Sequence, residues 1–232
     1  MKSVERAPQK ILDELIQRYP VLAVCKKDIA KAYGTLRDCY QEGGKLLVAG
    51  NGGSAADAEH MVGELMKSFH KPRPLPACFQ QNLAATDPVV GAYLAKTLEQ
   101  PLPAIALVCH ESLSTAFLND KDGKAVFAQQ LLGYGKKGDV FLGISTSGNS
   151  ENVVCAAVVA KALGIAVIEL TGNNGGKLSR YADISIRVPE DETFKIQELH
   201  LPVYHCLCLM LESQFMKADP NKSYFVMEEN YE

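Results

Sequence analysis

Two hydrophobic periods alternate along the chain. From residue 10 to 42 the apolar positions Ile11, Leu12, Leu15 and Ile16, then Leu22, Val24, Ile29, Ala30, Tyr33 and Leu36, recur at helical spacing. They predict two helices divided at Pro20. Residues 45–49 form a short continuous apolar run, the pattern of a strand covered on both faces, which stops at Gly50, Asn51, Gly52 and Gly53. Similar runs at 104–109, 139–144, 166–171 and 184–188 alternate with helical patterns, among them 124–134 and 152–163. Five strands separated by helices predict an α/β chain, a three-layer α/β/α sandwich around a five-stranded parallel sheet. A long helix over 195–216 closes the pattern, apolar at Ile196, Leu199, Leu201, Val203, Leu207, Leu209, Met210 and Leu211, with a disturbance expected at Pro202.

The alternation lapses over 68–103, where Pro72, Pro74, Pro76, Pro88, Pro101 and Pro103 cluster and only 89–98 has a helical pattern. This predicts an inserted loop or lid in a single domain of residues 1–232, between N-terminal helices in 1–44 and a polar tail at 217–232. Its Gln80, Gln81 and Asn82 either touch a ligand or face solvent. The tail either orders on a neighbouring subunit or stays disordered.

Composition narrows the chemistry. The 232 residues are 47% hydrophobic and 22% charged, which is ordinary for a globular protein. Lys and Arg number 24 against 27 acidic residues, so a net charge of −3 gives no global attraction to nucleic acid or anionic membrane. An anion site must therefore be local. Seven cysteines without a CxxC pair read as reduced core residues of a cytoplasmic chain, and neither a signal peptide nor a run of eighteen apolar residues is expected.

Two strand ends carry anion chemistry. After residue 49 the glycine turn leads to Ser54, placed as an N-cap, so that N–H groups and the helix dipole face an anion. After residue 144 Ser145, Thr146, Ser147 and Ser150 surround Gly148 ahead of the next helix. Neither loop has the GxxxxGK[ST] spacing, which favours one phosphate on a small molecule over a nucleotide triphosphate. Beyond the first loop, His60 and Glu64 share a helix face; an exposed i,i+4 pair fits the same spacing. On the last helix Gln197 and His205, eight apart, also share a face, whereas His200 reads as a hydrogen-bonded core histidine.

The segments GNGGSAADAEHMVGEL, GISTSGNSENV, LTGNNGGKLSRYADISIRVP and IQELHLPVYH, in that order, resemble the sugar isomerase (SIS) domain family and within it the phosphoheptose isomerases. The resemblance implies a flavodoxin-like domain and a homotetramer with active sites at subunit interfaces. It implies substrate contacts at Asn51, Gly52, Gly53, Ser54, Ser145, Thr146, Ser147, Ser150 and Gln197, with Asn119 and Asp120 matching a further polar pair. It also implies one Zn²⁺ per subunit on His60, Glu64, Gln197 and His205, and an acid/base pair of Glu64 and His205. Two departures stand out: Phe194 occupies a position where these isomerases commonly carry Asp, and the 68–103 excursion is longer than the usual connection.

The chemistry fits residues of these types. Aldose–ketose isomerisation moves a proton between C1 and C2 through an enediol, requiring a base at carbon and an acid at the carbonyl oxygen. A carboxylate and an imidazole supply both near neutral pH. The expected activity is interconversion of sedoheptulose 7-phosphate and a heptose 7-phosphate. The other reading is a non-catalytic SIS module that binds a phosphosugar or a protein partner, as in relatives that assist replication initiation by binding DnaA.

Overall fold

The computed structural model describes residues 7–216; the tail at 217–232 lies outside them. Helix α1 (Pro8–Arg18) and a 3-10 segment (Pro20–Cys25) precede α2 (Lys26–Gln41), so the helical stretch divides at Pro20 as its pattern predicts. Strands β1 (Leu46–Ala49), β2 (Ala104–Ala106), β3 (Val140–Ser145), β4 (Ala166–Thr171) and β5 (Ile184–Arg187) form one parallel sheet in the order β2-β1-β3-β4-β5. Helices α3 (Gly53–Met66), α7 (Val126–Tyr134), α8 (Glu151–Ala162) and α9 (Thr193–Phe215) complete the layers.

Strand alternation sorts the core into two halves. Leu46 and Val48 join the residues of α1, α2, α3 and α9 on one face, while Leu47 and Ala49 join those of α7 and α8 on the other. All four β1 residues are fully buried, which explains why the sequence shows a continuous apolar run there. After β2 the chain crosses β1 to lay down β3 on its opposite side, making β1 and β3 the switch point of the sheet. Ala49 pairs with Gly143 there, so the loops leaving the two strands lie side by side.

The excursion differs from its expected form. Residues 77–86 form helix α4 (Ala77–Thr86), followed by α5 (Val90–Thr97), and the two helices pack against each other. The prolines sit outside these helices: Pro76 precedes α4 and Pro88 lies in the connection, where Asp87 Oδ1 accepts from the N–H groups of Val89 and Val90. No residue of α4 is buried, so it has no amphipathic stripe for a sequence pattern to reveal. The same holds for α6 (Glu111–Asp120), which lies between the predicted strand at 104–109 and the predicted helix at 124–134. Helix α9 runs through Pro202 without interruption, and the proline ring is buried. Four of the seven cysteines are buried, but Cys78 and Cys109 are exposed.

One ionic cluster ties these parts together. The Glu212 carboxylate on α9 accepts from the backbone N–H groups of Phe69, His70 and Lys71 and from the guanidinium of Arg73. Arg73 also donates to the carbonyls of Leu65 and Glu64, which satisfies acceptors at the end of α3. Both side chains are buried, and their mutual charge and hydrogen bonds offset the cost of removing them from water.

Candidate active site

The loops leaving β1 and β3 are shaped by close approach. Gly52, at φ +56°, takes the N-cap position of α3, where a β-carbon would be strained; Ser54 sits inside the first turn and is not the cap. A β-carbon on Gly53 would lie 2.5 Å from Nε2 of Gln197, which presses that side chain against the start of α3. Gly148, at φ +64°, packs against the carbonyl of Gly175. Ser145 Oγ and Ser150 Oγ are 3.0 Å apart, and Ser147 Oγ accepts from the Asn149 N–H. Thr146 lies half-buried between these serines.

Asn51 and Asn152 exchange two amide hydrogen bonds of 2.8 and 2.9 Å, which clamp the two loops together. Asn152 is absent from the residues expected at the site, although its position in the first turn of α8 was available as a signal. Asn119 and Asp120 bond to each other at the exposed end of α6, a helix that packs on α7. No hydrogen bond joins that pair to either loop among the described residues.

Helices α3 and α9 lie against each other in the same sense, Gly53 meeting Gln197 and His60 meeting His205. His60 Nε2 is 3.3 Å from Glu64 Oε1 and 3.4 Å from His205 Nε2. The His60–Glu64 pair therefore belongs to a cluster, with Glu64 only 15% exposed, and is not merely a surface pair. Lys67 also reaches Glu64 at 3.3 Å, and the Phe69 ring packs on His205. Behind His60, its Nδ1 stands 3.0 Å from the Tyr204 hydroxyl, which is 3.2 Å from Asp57 Oδ1. Sequence reasoning missed Asp57 and Tyr204; their proximity in sequence to His60 and His205 was the only trace.

Burial, then the nearby His60 charge, holds the His205 imidazole below its ordinary pKa, opposed by Glu64. Burial raises the Asp57 carboxyl, opposed by its bond from Tyr204. His200 is fully buried, as expected of a core histidine, with the Thr171 backbone as its polar neighbour. Burial lowers its pKa to about 4.

Ligands held about 2.0–2.1 Å from a tetrahedral Zn²⁺ stand about 3.3–3.4 Å from one another. The two contacts at His60 Nε2 have that length. Gln197 lies two turns away along α9, and among the described residues no three His, Cys, Asp or Glu side chains gather into a metal-holding group. The donors therefore fit an ion pairwise at His60, not as a closed set.

A parallel five-stranded sheet with serine- and glycine-lined loops at its switch point defines an SIS-type α/β protein, and the SIS domain model matches residues 90–172. Phosphoheptose isomerase from Aneurinibacillus thermoaerophilus is 39% identical over 180 residues, covering 78% of each chain. Among solved structures, phosphoheptose isomerase GmhA from Neisseria gonorrhoeae is similar with a TM-score of 0.68 and 32% identity over 87% of this chain and 94% of that one. The enzyme from Francisella tularensis is similar with a TM-score of 0.69 and 32% identity over 88% and 95%. The chain belongs to the phosphoheptose isomerase family.

Proposed function

We propose that this chain is a phosphosugar isomerase that interconverts sedoheptulose 7-phosphate and a heptose 7-phosphate. The observation that carries the reading is the convergence of Glu64, His60 and His205 on the same helix pair that begins at the glycine loop. Gly53 and His60 are seven residues apart on α3, about 10 Å along its axis. That is the scale of an extended seven-carbon sugar with its phosphate at one end.

In this reading Ser54, Ser145, Thr146, Ser147 and Ser150, with the turn of Asn51, Gly52 and Gly53, receive the phosphate. Gln197 orients the sugar beside Gly53. Glu64 removes the proton from C2 or C1, and His205, its imidazole kept largely neutral by burial, exchanges a proton with the adjacent oxygen. Binding of the distant phosphate positions the reacting carbons. Asn119 and Asp120 line the sugar's approach only if a neighbouring subunit or a bound ligand draws them in.

One Zn²⁺ per subunit, which His60, Glu64, Gln197 and His205 would hold, completes the proposal. When bound it would polarise the sugar carbonyl as a Lewis acid. Homotetramer formation with interfacial sites agrees with α5, its two ends and α6 leaving Val89, Tyr93, Leu98 and Leu118 exposed. A cytoplasmic location agrees with the absence, among the described residues, of a helix long and apolar enough to cross a membrane. The regulatory-module reading is less favoured, because the relatives that match over most of the chain are named as isomerases.

The test is an isomerase assay with sedoheptulose 7-phosphate, with and without Zn²⁺, beside Glu64→Gln. Loss of a positioned base lowers kcat by about 10²–10⁴-fold. Phosphosugar binding without turnover in the unaltered protein would instead support the regulatory module.

A further inference from the structure

The Tyr204 hydroxyl has one proton and two polar neighbours. Tyr204 is 1% exposed, and its hydroxyl stands 3.2 Å from Asp57 Oδ1 and 3.0 Å from His60 Nδ1. An ionised carboxylate only accepts hydrogen bonds, so the phenolic proton goes to Asp57. The phenolic oxygen is left to accept, and the one proton available to it is that of His60 Nδ1.

From this we infer that Asp57 and Tyr204 are positioning residues that hold His60 in the tautomer with its proton on Nδ1 and a bare lone pair on Nε2. That lone pair faces Glu64 Oε1 at 3.3 Å and His205 Nε2 at 3.4 Å. Within the cluster that lone pair can accept the proton of a His205 Nε2–H or receive a cation beside the Glu64 carboxylate. Orienting partners of this kind act on a ligating histidine through its other ring nitrogen. The Tyr204 ring also packs edge-on against His60, with centroids 5.6 Å apart, and against His205 at 5.0 Å. Ring and hydroxyl are thus separable: packing belongs to the ring, tautomer choice to the oxygen.

The part of this inference that concerns a bound cation rests on the proposed zinc site; the tautomer does not. The full chain, stripped of metal and labelled with ¹⁵N-histidine, is compared by NMR above pH 7.5 with Tyr204→Phe and Asp57→Ala, the His60 signals being assigned from His60→Gln. The unaltered protein is expected to show Nδ1–H at His60, and Tyr204→Phe, which keeps the ring, to lose that preference. Zn²⁺ titration by calorimetry is expected to show binding weakened about 10–100-fold in Tyr204→Phe. Nε2–H at His60 in the unaltered protein, or a tautomer unchanged in both variants, would overturn the inference. If the tautomer responds as expected while the unaltered protein binds no Zn²⁺, the relay stands and the zinc reading fails.

Discussion

Helix α9 and the α4–α5 hairpin are opposite solutions to holding a helix in place. Thirteen of the 23 residues of α9 are buried, and it packs against α1, α2, α3 and β4. Helix α4 has no buried residue, α5 buries only Gly91, and the two pack mainly on each other. The site side chains Gln197 and His205 are carried by the first kind of helix, where neighbours on several sides set each rotamer. The hairpin hangs from its root, where Gln100 donates to the Arg73 and Pro74 carbonyls and Glu99 accepts from the Ser68 N–H. Buried contact fixes the side chains of the candidate site, whereas the hairpin is held mainly at its root.

Arg73 and Glu212 join these two regions, so breaking that pair tests the contrast most strongly. Arg73→Met leaves the Glu212 charge buried without its ion partner and is expected to cost about 3–5 kcal/mol by urea denaturation. The double variant Arg73→Met with Glu212→Leu should not recover that loss, because three backbone N–H groups at residues 69–71 would lose their acceptor. Full recovery would show that the pair contributes no more than an apolar filling.

A second measurement reads the burial of α9 itself. Folding lowers the His200 pKa from its ordinary 6.5 to about 4, so the unfolded chain binds more protons between those values. Stability is therefore full above pH 6.5 and falls as the solution is acidified toward pH 4, by an amount on the order of 3 kcal/mol at about 1.36 kcal/mol per pKa unit. His200→Leu should flatten that part of the pH profile. An unchanged slope in the variant would place the acid sensitivity in other groups.

The smallest expected effect lies in the hairpin. A β-carbon on Gly91 would collide with the Leu83 carbonyl, where α5 crosses α4 closely. Gly91→Ala is expected to cost about 1–3 kcal/mol by overpacking. Because the hairpin packs mainly on itself, hydrogen exchange should quicken over residues 77–97 while α9 amides stay protected. A uniform change across the chain would mean that the hairpin is as firmly integrated as α9.

The sheet was legible because buried strands write their burial into composition. The run at 166–171 coincides with β4 end to end, and the two loops with anion chemistry emerge side by side at the switch point. Of the hairpin, α5 was legible as the helical pattern at 89–98, whereas α4 and α6 were not, since helices that bury nothing on their own chain carry no period. At the site, His60, Glu64, Gln197 and His205 could be named from helix spacing and family resemblance, but Asp57 and Tyr204 could not be placed with them.

By itself the sequence determined the five strands, the helices with a buried face, the two serine- and glycine-lined loops and the residue types present at the candidate site. These depend on neighbours within a few positions along the chain, and periodicity records them. Only the tertiary structure decided that Gln197 meets Gly53, that Tyr204 stands between Asp57 and His60, and that Arg73 pairs with Glu212 across 139 positions. Such partners are set by how α9 packs on α3 and on the turn that follows it, and helix packing registers side chains that local pattern leaves unrelated.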